Sequence, residues 1–423
     1  MLKKIIINNF LSFDESTFEF EKVNCLIAPN NTGKSNLFKV LEFLNIALYK
    51  NIDVAISQFG GINKLQNYRV KNETIYIEAW FNLENTCLIN YDLMKYDATL
   101  ICMITINIKN KTSNIDLLFE GKIKGTYIFE TERINLLKER VFNDDISSVL
   151  TTYEQSIEKL NKKRYSKFLF AYSSNSASYR KDYINDDKFK LISNLLNLQL
   201  NTKKELLKPL SFHYLFNADS IFSSYYFIPY NIKSGQVFDS SNLNKSGQNL
   251  TYFLSSLDDD TFDDISTALI GEVELINGIK IKDEDVKKLY FSEDIDGEEK
   301  LIPLHDISDG TIHFTAIMTA IYSNPNSLSI LIEEPERNMH MKTLSTILNT
   351  MRDSKKQIFF TTHSTEILQQ LDLDEIVFLF RDYDGNTQGQ RAKNIPNIKK
   401  IMELFKGDLV EMIQTGVLGE YDE

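Results

Sequence analysis

Cysteine is scarce in this chain of 423 residues, which has only Cys25, Cys87 and Cys102. Their spacing matches neither a disulfide framework nor a metal-ligand set, so a reducing, cytoplasmic setting is expected. Cys25 reads as a small buried hydrophobe. No run of about 18 apolar residues occurs, which leaves no candidate transmembrane helix and no expected membrane partner. The opening MLKKIIINNFLSFDE has two lysines before apolar residues, but Asn8 and Asn9 interrupt it and acidic residues follow, unlike a signal peptide. Positive charge is also in deficit. A net charge of −12 argues against coating nucleic acid through a broad basic surface. The exception is 131–210, where 15 Lys plus Arg against 10 Asp plus Glu give +5 while the remainder carries −17. NKKRYSK, Asn161 to Lys167, is its densest part. It reads as a solvated helical face or as a local contact for nucleic acid or an acidic partner. With 43% hydrophobic residues, the chain can bury a sizeable core in two to three domains.

Against these absences stands LIAPNNTGKSN, Leu26 to Asn36. Val23 to Ile27 reads as a short buried strand, and Ser35 to Leu48 as a helix with Leu37, Val40, Leu41, Leu44 and Leu48 on one face. A loop between them must turn sharply and aim successive backbone N–H groups at phosphate oxygens, helped by the positive end of the helix. Asn30, Asn31, Thr32, Gly33, Lys34, Ser35 and Asn36 are therefore the candidate nucleotide-binding residues. Gly33 permits close approach, Lys34 would reach the β- and γ-phosphates of ATP, and the Ser35 hydroxyl would coordinate Mg²⁺. Ala28 stands where the strictest pattern has glycine, which strand-like dihedrals tolerate. The bland alternative is an ordinary glycine turn beside a surface lysine.

Along the chain, Leu2 to Phe20 suggests a β-hairpin turning near Asp14 and Glu15. Ile75 to Leu83 and Leu100 to Ile108 read as strands, with another over Gly121 to Phe129. Ile134 to Leu210 lacks glycine and shows helical spacing at Leu191, Leu195 and Leu198, which predicts a helical insertion. Extended segments return at Tyr225 to Pro229 and around Gly278 to Leu289, and a strand is expected over Leu301 to Leu304. The pattern then alternates: helix Thr311 to Tyr322, strand Leu328 to Ile332, helix Lys342 to Arg352, strand Gln357 to Thr361, helix Ser364 to Gln370, strand Glu375 to Phe380. Such alternation predicts a parallel sheet flanked by helices. The expected divisions are 1–130, a lobe with the phosphate loop and a β-rich segment; 131–210, the helical insertion; and 211–423, the rest of the α/β domain.

LSILIEEPERNMH, Leu328 to His340, delivers two carboxylates at a strand's C-terminal end, where open α/β sheets bind ligands. Glu333 would hold Mg²⁺ through water, and Glu334 would polarise the water attacking the γ-phosphate. IFFTTHSTEIL, Ile358 to Leu368, brings His363 to the next strand end, where it would sense the γ-phosphate or help position water. A satisfied structural histidine is the alternative. In LHDISDGTIHF, Leu304 to Phe314, Ser308 and Asp309 can cap a helix and Gly310 permits backbone approach. The functional alternative is binding of a second nucleotide phosphate from a partner subunit.

NNFLSF, APNNTGKSN, a long insertion, ISDGT, LIEEPERNMH and TTHS occur in the order that resembles the ABC-type ATPase heads of the SMC and RecF group. The resemblance is closest to stand-alone AAA-family ATPases related to the overcoming-lysogenisation-defect proteins, and its motifs cover residues 1 to about 60 and 300 to 385. It implies an α/β, ABC-type P-loop ATPase head with a mixed or parallel sheet, a β-rich lobe and a helical insertion. It also implies a homodimer, or a higher homo-oligomer, of heads sandwiching two ATP molecules. Gly33, Lys34 and Ser35 would then bind in cis, Ser308 and Gly310 in trans, and Glu334 and His363 would complete hydrolysis. The family usually has aspartate where Glu333 stands, which bears on hydrolysis more than on binding. Asn338 and Met339 would lie on the loop that crosses the dimer interface, and Gln58 would be the glutamine contacting metal and water. About 300 residues separate Lys34 from Glu333, which fits a split head rather than a simple crossover unit.

The expected function is an ATPase switch that controls DNA, RNA or a separate effector protein; anti-phage defence comes from the resemblance. The alternatives are a nucleotide-gated scaffold with negligible turnover, or a DNA-repair ATPase of the SMC and RecF type. The acidic clusters Asp258 to Asp264 and Asp283 to Glu299 read as solvated turns rather than a nuclease site. About 40 residues follow Phe380, too few for an added nuclease domain.

Overall fold

The computed structural model describes residues 1–29, 31–82, 95–124, 166–173, 177–178 and 220–398 except 236, 240, 284 and 324–326, together with 400 and 403. The strands are β1 (Leu2–Asn8), β2 (Ser16–Glu19), β3 (Val23–Ile27), β4 (Thr74–Asn82), β5 (Lys95–Asn107), β6 (Thr112–Lys124), β7 (Ser166–Ser173), β8 (Ala177–Ser178), β9 (Ser220–Tyr225), β10 (Ile276–Asp283), β11 (Lys287–Ile295), β12 (Glu298–Pro303), β13 (Ser327–Glu333), β14 (Gln357–Thr361), β15 (Ile376–Arg381) and β16 (Thr387–Arg391). The helices are α1 (Lys34–Tyr49), α2 (Ile52–Gln58), α3 (Ile62–Leu65), α4 (Pro229–Ser234), α5 (Leu250–Leu254), α6 (Asp259–Glu272), α7 (Asp309–Tyr322), α8 (Met341–Asp353) and α9 (Thr365–Leu368).

Two compact units divide the chain, Met1–Thr17 with Phe43–Asp219 and Phe18–Glu42 with Ser220–Glu423. The phosphate loop therefore groups with the C-terminal half, not with 1–130 as the sequence suggested. The first unit holds a seven-stranded sheet, ordered β2-β1-β4-β5-β6-β7-β8. Its entry turn explains NNFLSF. Asn9 adopts φ 55 while fully buried, and its side-chain amide donates to the carbonyls of Asn72 (2.7 Å) and Thr74 (3.1 Å). Asparagine tolerates that backbone better than a branched residue. Phe10 and Phe13 exchange backbone hydrogen bonds across the turn and bury their rings. The expectation of helix over 131–210 is corrected where the structure describes that segment, since Ser166–Ser173 pairs antiparallel with β6. SKFLFAYS is rich in aromatics, which favour strands, and absence of glycine alone did not discriminate. The rest of 131–210, with Leu191, Leu195 and Leu198, lies outside the described residues.

In the second unit a six-stranded sheet runs β16-β15-β3-β14-β13-β9. Every pair is parallel except β15 with β16, so the predicted parallel sheet carries one antiparallel edge. All residues of β3 and β14 are buried, as expected for strands covered on both faces. Phe359 packs edge-on against Phe20 (5.0 Å between centroids) and Phe222 (6.1 Å). Strands β10, β11 and β12 form a separate antiparallel sheet.

Helix α7 is buried from Thr311 through Ile321. A helix sunk this deeply must hide its polar side chains. Thr315 and Thr319 do so by donating to the carbonyls four residues earlier, Thr311 and Thr315, each at 2.7 Å. Ser308 caps its start by accepting from the Thr311 N–H at 3.1 Å, a contact of the kind that stabilises by about 1 kcal/mol. At its other end Lys356 donates to the carbonyls of Ala320 (3.2 Å) and Ile321 (2.7 Å).

Burial pushes the Lys356 pKa down to about 7 from an ordinary 10.5. Between those values the unfolded chain binds a proton that the folded chain releases, so stability is lowest below about pH 7 and recovers as pH rises toward 10.5. The melting temperature of wild-type protein is expected to rise more steeply with pH across this window than that of Lys356→Met. Equal slopes in thermal melts would contradict this.

Candidate nucleotide site

Register brings three chain segments to one edge of the sheet. Thr361 of β14 lies opposite Leu26 of β3 on one side and Glu333 of β13 on the other. The residues that follow, 28–35, 334–340 and 362–364, leave the C-terminal ends of adjacent parallel strands. Open α/β sheets bind ligands at such an edge.

The phosphate loop has the required backbone. Asn31 adopts φ 62 and Gly33 φ 122, and α1 starts immediately at Lys34. Gly33 accepts the first helical hydrogen bond, from Leu37 N at 3.0 Å. The N–H groups of the first turn have no acceptor within the helix and supply an anion-binding end. Thr32 bends the loop by donating to the Pro29 carbonyl at 2.8 Å. Two braces come from distant sequence: Arg381 donates to the Asn31 carbonyl and Thr387 to the Thr32 carbonyl, each at 2.6 Å. Ala28 is buried, and its carbonyl accepts from Lys34 Nζ at 2.6 Å. Burial pushes the Lys34 ammonium below its usual pKa, opposed by Glu334, Cys25 and Glu336. Ser35 is exposed, and Asn30 lies outside the described residues.

Glu333 is half-buried, and burial raises its carboxyl pKa. Lys245 opposes that rise, while Glu42 and Glu334 add to it. Lys245 itself pairs with Glu42 at 2.6 Å. Among the described residues no cluster of three or more metal-ligating side chains occurs. One hydroxyl and one carboxylate suit Mg²⁺ shared with phosphates, a usual arrangement for that ion, better than an all-protein cage.

Glu334 turns the chain sharply with φ 50. Its N–H donates to the Thr361 carbonyl at 3.1 Å, fixing it to β14. Arg337 then grips its carboxylate, Nη2 at 2.7 Å and Nε at 3.2 Å from Oε2, and lies 4.9 Å over the Tyr226 ring. Glu336 folds back so that Oε1 accepts the backbone N–H of His363 at 2.8 Å. The His363 residue is exposed. Sequence reasoning did not identify Arg337 or Glu336. The three-residue spacing of Glu334 and Arg337 was the available signal for the first.

Ser308 and Gly310 also take defined places. Ser308 caps α7 and its hydroxyl also lies 2.8 Å from that of Thr311, while Asp309 pairs with Lys233 at 2.8 Å rather than capping. A Cβ on Gly310 would collide with the Asn338 carbonyl. His313, one turn on, is 1% exposed, and its Nδ1 lies 2.7 Å from the Arg337 carbonyl. A carbonyl only accepts, so Nδ1 carries the proton, and burial keeps the ring's pKa below normal. The 334–340 turn is thus fastened to α7 at two points. Asn338 is exposed with φ 61, whereas Met339 packs partly against the core. Gln58, exposed at the end of α2, belongs to the other unit.

Residues 23–369 match the family model described as "AAA domain, putative AbiEii toxin, Type IV TA system". The chain belongs to this AAA-domain family. It is similar to an ATP/GTP phosphatase of Helicobacter pylori, 23% identical over 383 residues and spanning 88% of each chain. A protein of Methanocaldococcus jannaschii is 27% identical over 164 residues, covering 38% of this chain and 19% of that protein. Among solved structures, an Smc head bound to the C-terminal winged-helix domain of ScpA aligns at TM-score 0.49 and 10% identity, over 92% of this chain and 97% of that one. The AAA domain thus holds the phosphate loop, both carboxylates and His363 within its matched span.

Gly310→Ala is expected to force α7 away from the 334–340 turn and to destabilise the second unit by roughly 1–3 kcal/mol, the range for overpacking. An unchanged denaturant midpoint would contradict the close packing described.

Proposed function

We propose that this AAA domain binds and hydrolyses ATP with Mg²⁺ and works as a switch. The observation that carries the reading is the convergence of the Gly33-Lys34-Ser35 loop, Glu333-Glu334 and His363 on one edge of the parallel sheet. The similarity to an ATP/GTP phosphatase supports it. In this reading the first turn of α1 and Lys34 hold the triphosphate. Moving Lys34 to the phosphates exchanges its contact with the Ala28 carbonyl for a charge-assisted one. Ser35 and, through water, Glu333 would hold Mg²⁺, which when bound would neutralise phosphate charge. Glu334 accepts the proton of the water whose oxygen bonds to the γ-phosphorus, as the bond from that phosphorus to the ADP oxygen breaks. His363 faces the same phosphate from the β14 end. No helix among the described residues is long and apolar enough to cross a membrane.

The switch would operate as a homodimer or higher homo-oligomer, with Ser308 and Gly310 of one subunit completing the site of another and Asn338 at the junction. It would act on a separate effector protein or on DNA or RNA in the cytoplasm. The family's description, "putative AbiEii toxin, Type IV TA system", supports placing it in defence. A second reading, a nucleotide-gated scaffold with negligible turnover, is favoured by one observation: Arg337 occupies Oε2 of the base Glu334.

Equilibrium binding and steady-state hydrolysis separate the readings. Lys34→Ala should lose ATP binding. Glu334→Gln should bind ATP normally, assemble into dimers by sizing, and turn over about 10²–10⁴-fold more slowly. Wild-type protein that binds ATP without turnover leaves only the scaffold; one that does not bind ATP removes both.

A further inference from the structure

Glu336 is a third carboxylate at this edge, with a separate placement from Glu333 and Glu334. The turn created by Glu334 at φ 50 is closed by Arg337 N to the Glu334 carbonyl (3.2 Å) and Met339 N to the Glu336 carbonyl (3.1 Å). That geometry directs the Glu336 side chain back across the end of β14. There Oε1 takes the N–H of His363 at 2.8 Å, a peptide group just past the strand ladder. Oε2 is buried with no hydrogen-bond partner. Leaving a buried carboxylate oxygen unpaired costs free energy, and such exceptions call for a reason. Burial is the main cause of the shifts at Cys25 and Lys34; the charge of Glu336 adds to the rise at the thiol and opposes the lowering at the ammonium.

We propose that Glu336 is a positioning residue for hydrolysis: by holding the His363 peptide, it fixes the imidazole of His363 against the phosphate that Lys34 binds. The proposal rests on the hydrolytic reading of the site. Glu336 does not touch the reacting atoms and acts only through His363. An amide oxygen can accept the same N–H, so the effect depends on an acceptor at this reach more than on charge. On an unchanged backbone, a side chain one methylene shorter would draw its oxygen back from the His363 N–H and lengthen the 2.8 Å contact beyond hydrogen-bond reach.

The experiment measures ATP affinity with a fluorescent ATP analogue, together with kcat, for wild type, E336A, E336Q, E336D, H363A and the double variant E336A/H363A. The expected result is a kcat lowered at least tenfold in E336A and E336D, with analogue affinity within about threefold of wild type. E336Q should retain most of the rate. In the H363A background, E336A should add almost nothing, because both substitutions remove one function. If E336A melts before it can be assayed, E336D and E336Q carry the comparison. Wild-type kcat in E336A, losses that multiply with those of H363A, or E336Q as impaired as E336D would each overturn the proposal while leaving the ATPase reading intact. Absence of turnover in wild type would instead remove the ATPase reading, and the positioning role with it.

Discussion

Strand β14 is hydrogen-bonded to β3 on one side and to β13 on the other, and Thr361 sets the level of both neighbours. Its carbonyl also takes the N–H of Glu334, one residue beyond the ladder. A slip of either pairing by one residue would turn every side chain to the opposite face and move the carboxylates away from the phosphate loop. Burial prevents such a slip, since all five residues of β14 and of β3 lie in the core. The chemistry of the edge is therefore anchored by apolar packing beneath it. The loops themselves add braces, such as Arg381 and Thr387 on the carbonyls of the phosphate loop.

The turn after β13 links two parts of the site. Arg337 grips Glu334 with its guanidinium and accepts from His313 with its carbonyl, while Gly310 lets α7 approach Asn338. Any displacement of the α7 N-terminus therefore meets the turn that carries Glu334. Arg337 and Glu334 are each more than a third exposed or close to it, so their ion pair contributes little net stability. Its consequence is geometric, because it takes up the lone pairs of one carboxylate oxygen.

Local features of the site were legible in the sequence and distant ones were not. The strand, loop and helix around Gly33 could be read because they are contiguous, with a short apolar run before the loop and helical spacing of leucines after it. The alternation from α7 to β15 could be read because each apolar run sits between turn residues. Grouping of 18–42 with the C-terminal unit could not, since it depends on pairings more than 300 residues apart in sequence. Glu336 and Arg337 escaped because their partners follow from the positive φ of Glu334, which an acidic residue does not advertise. Ser166–Ser173 was misread because missing glycine and proline permits strand as readily as helix.

In the proposed function Lys34, Glu334 and His363 serve one phosphate. A crystal structure of the protein with Mg²⁺ and a non-hydrolysable ATP analogue tests it most directly. The expected result is the γ-phosphate on Lys34 Nζ and the first turn of α1, with the Glu334 carboxylate and the His363 imidazole facing that same phosphate. An analogue bound away from the 28–35 loop, or one with Glu334 and His363 turned from its γ-phosphate, would contradict it.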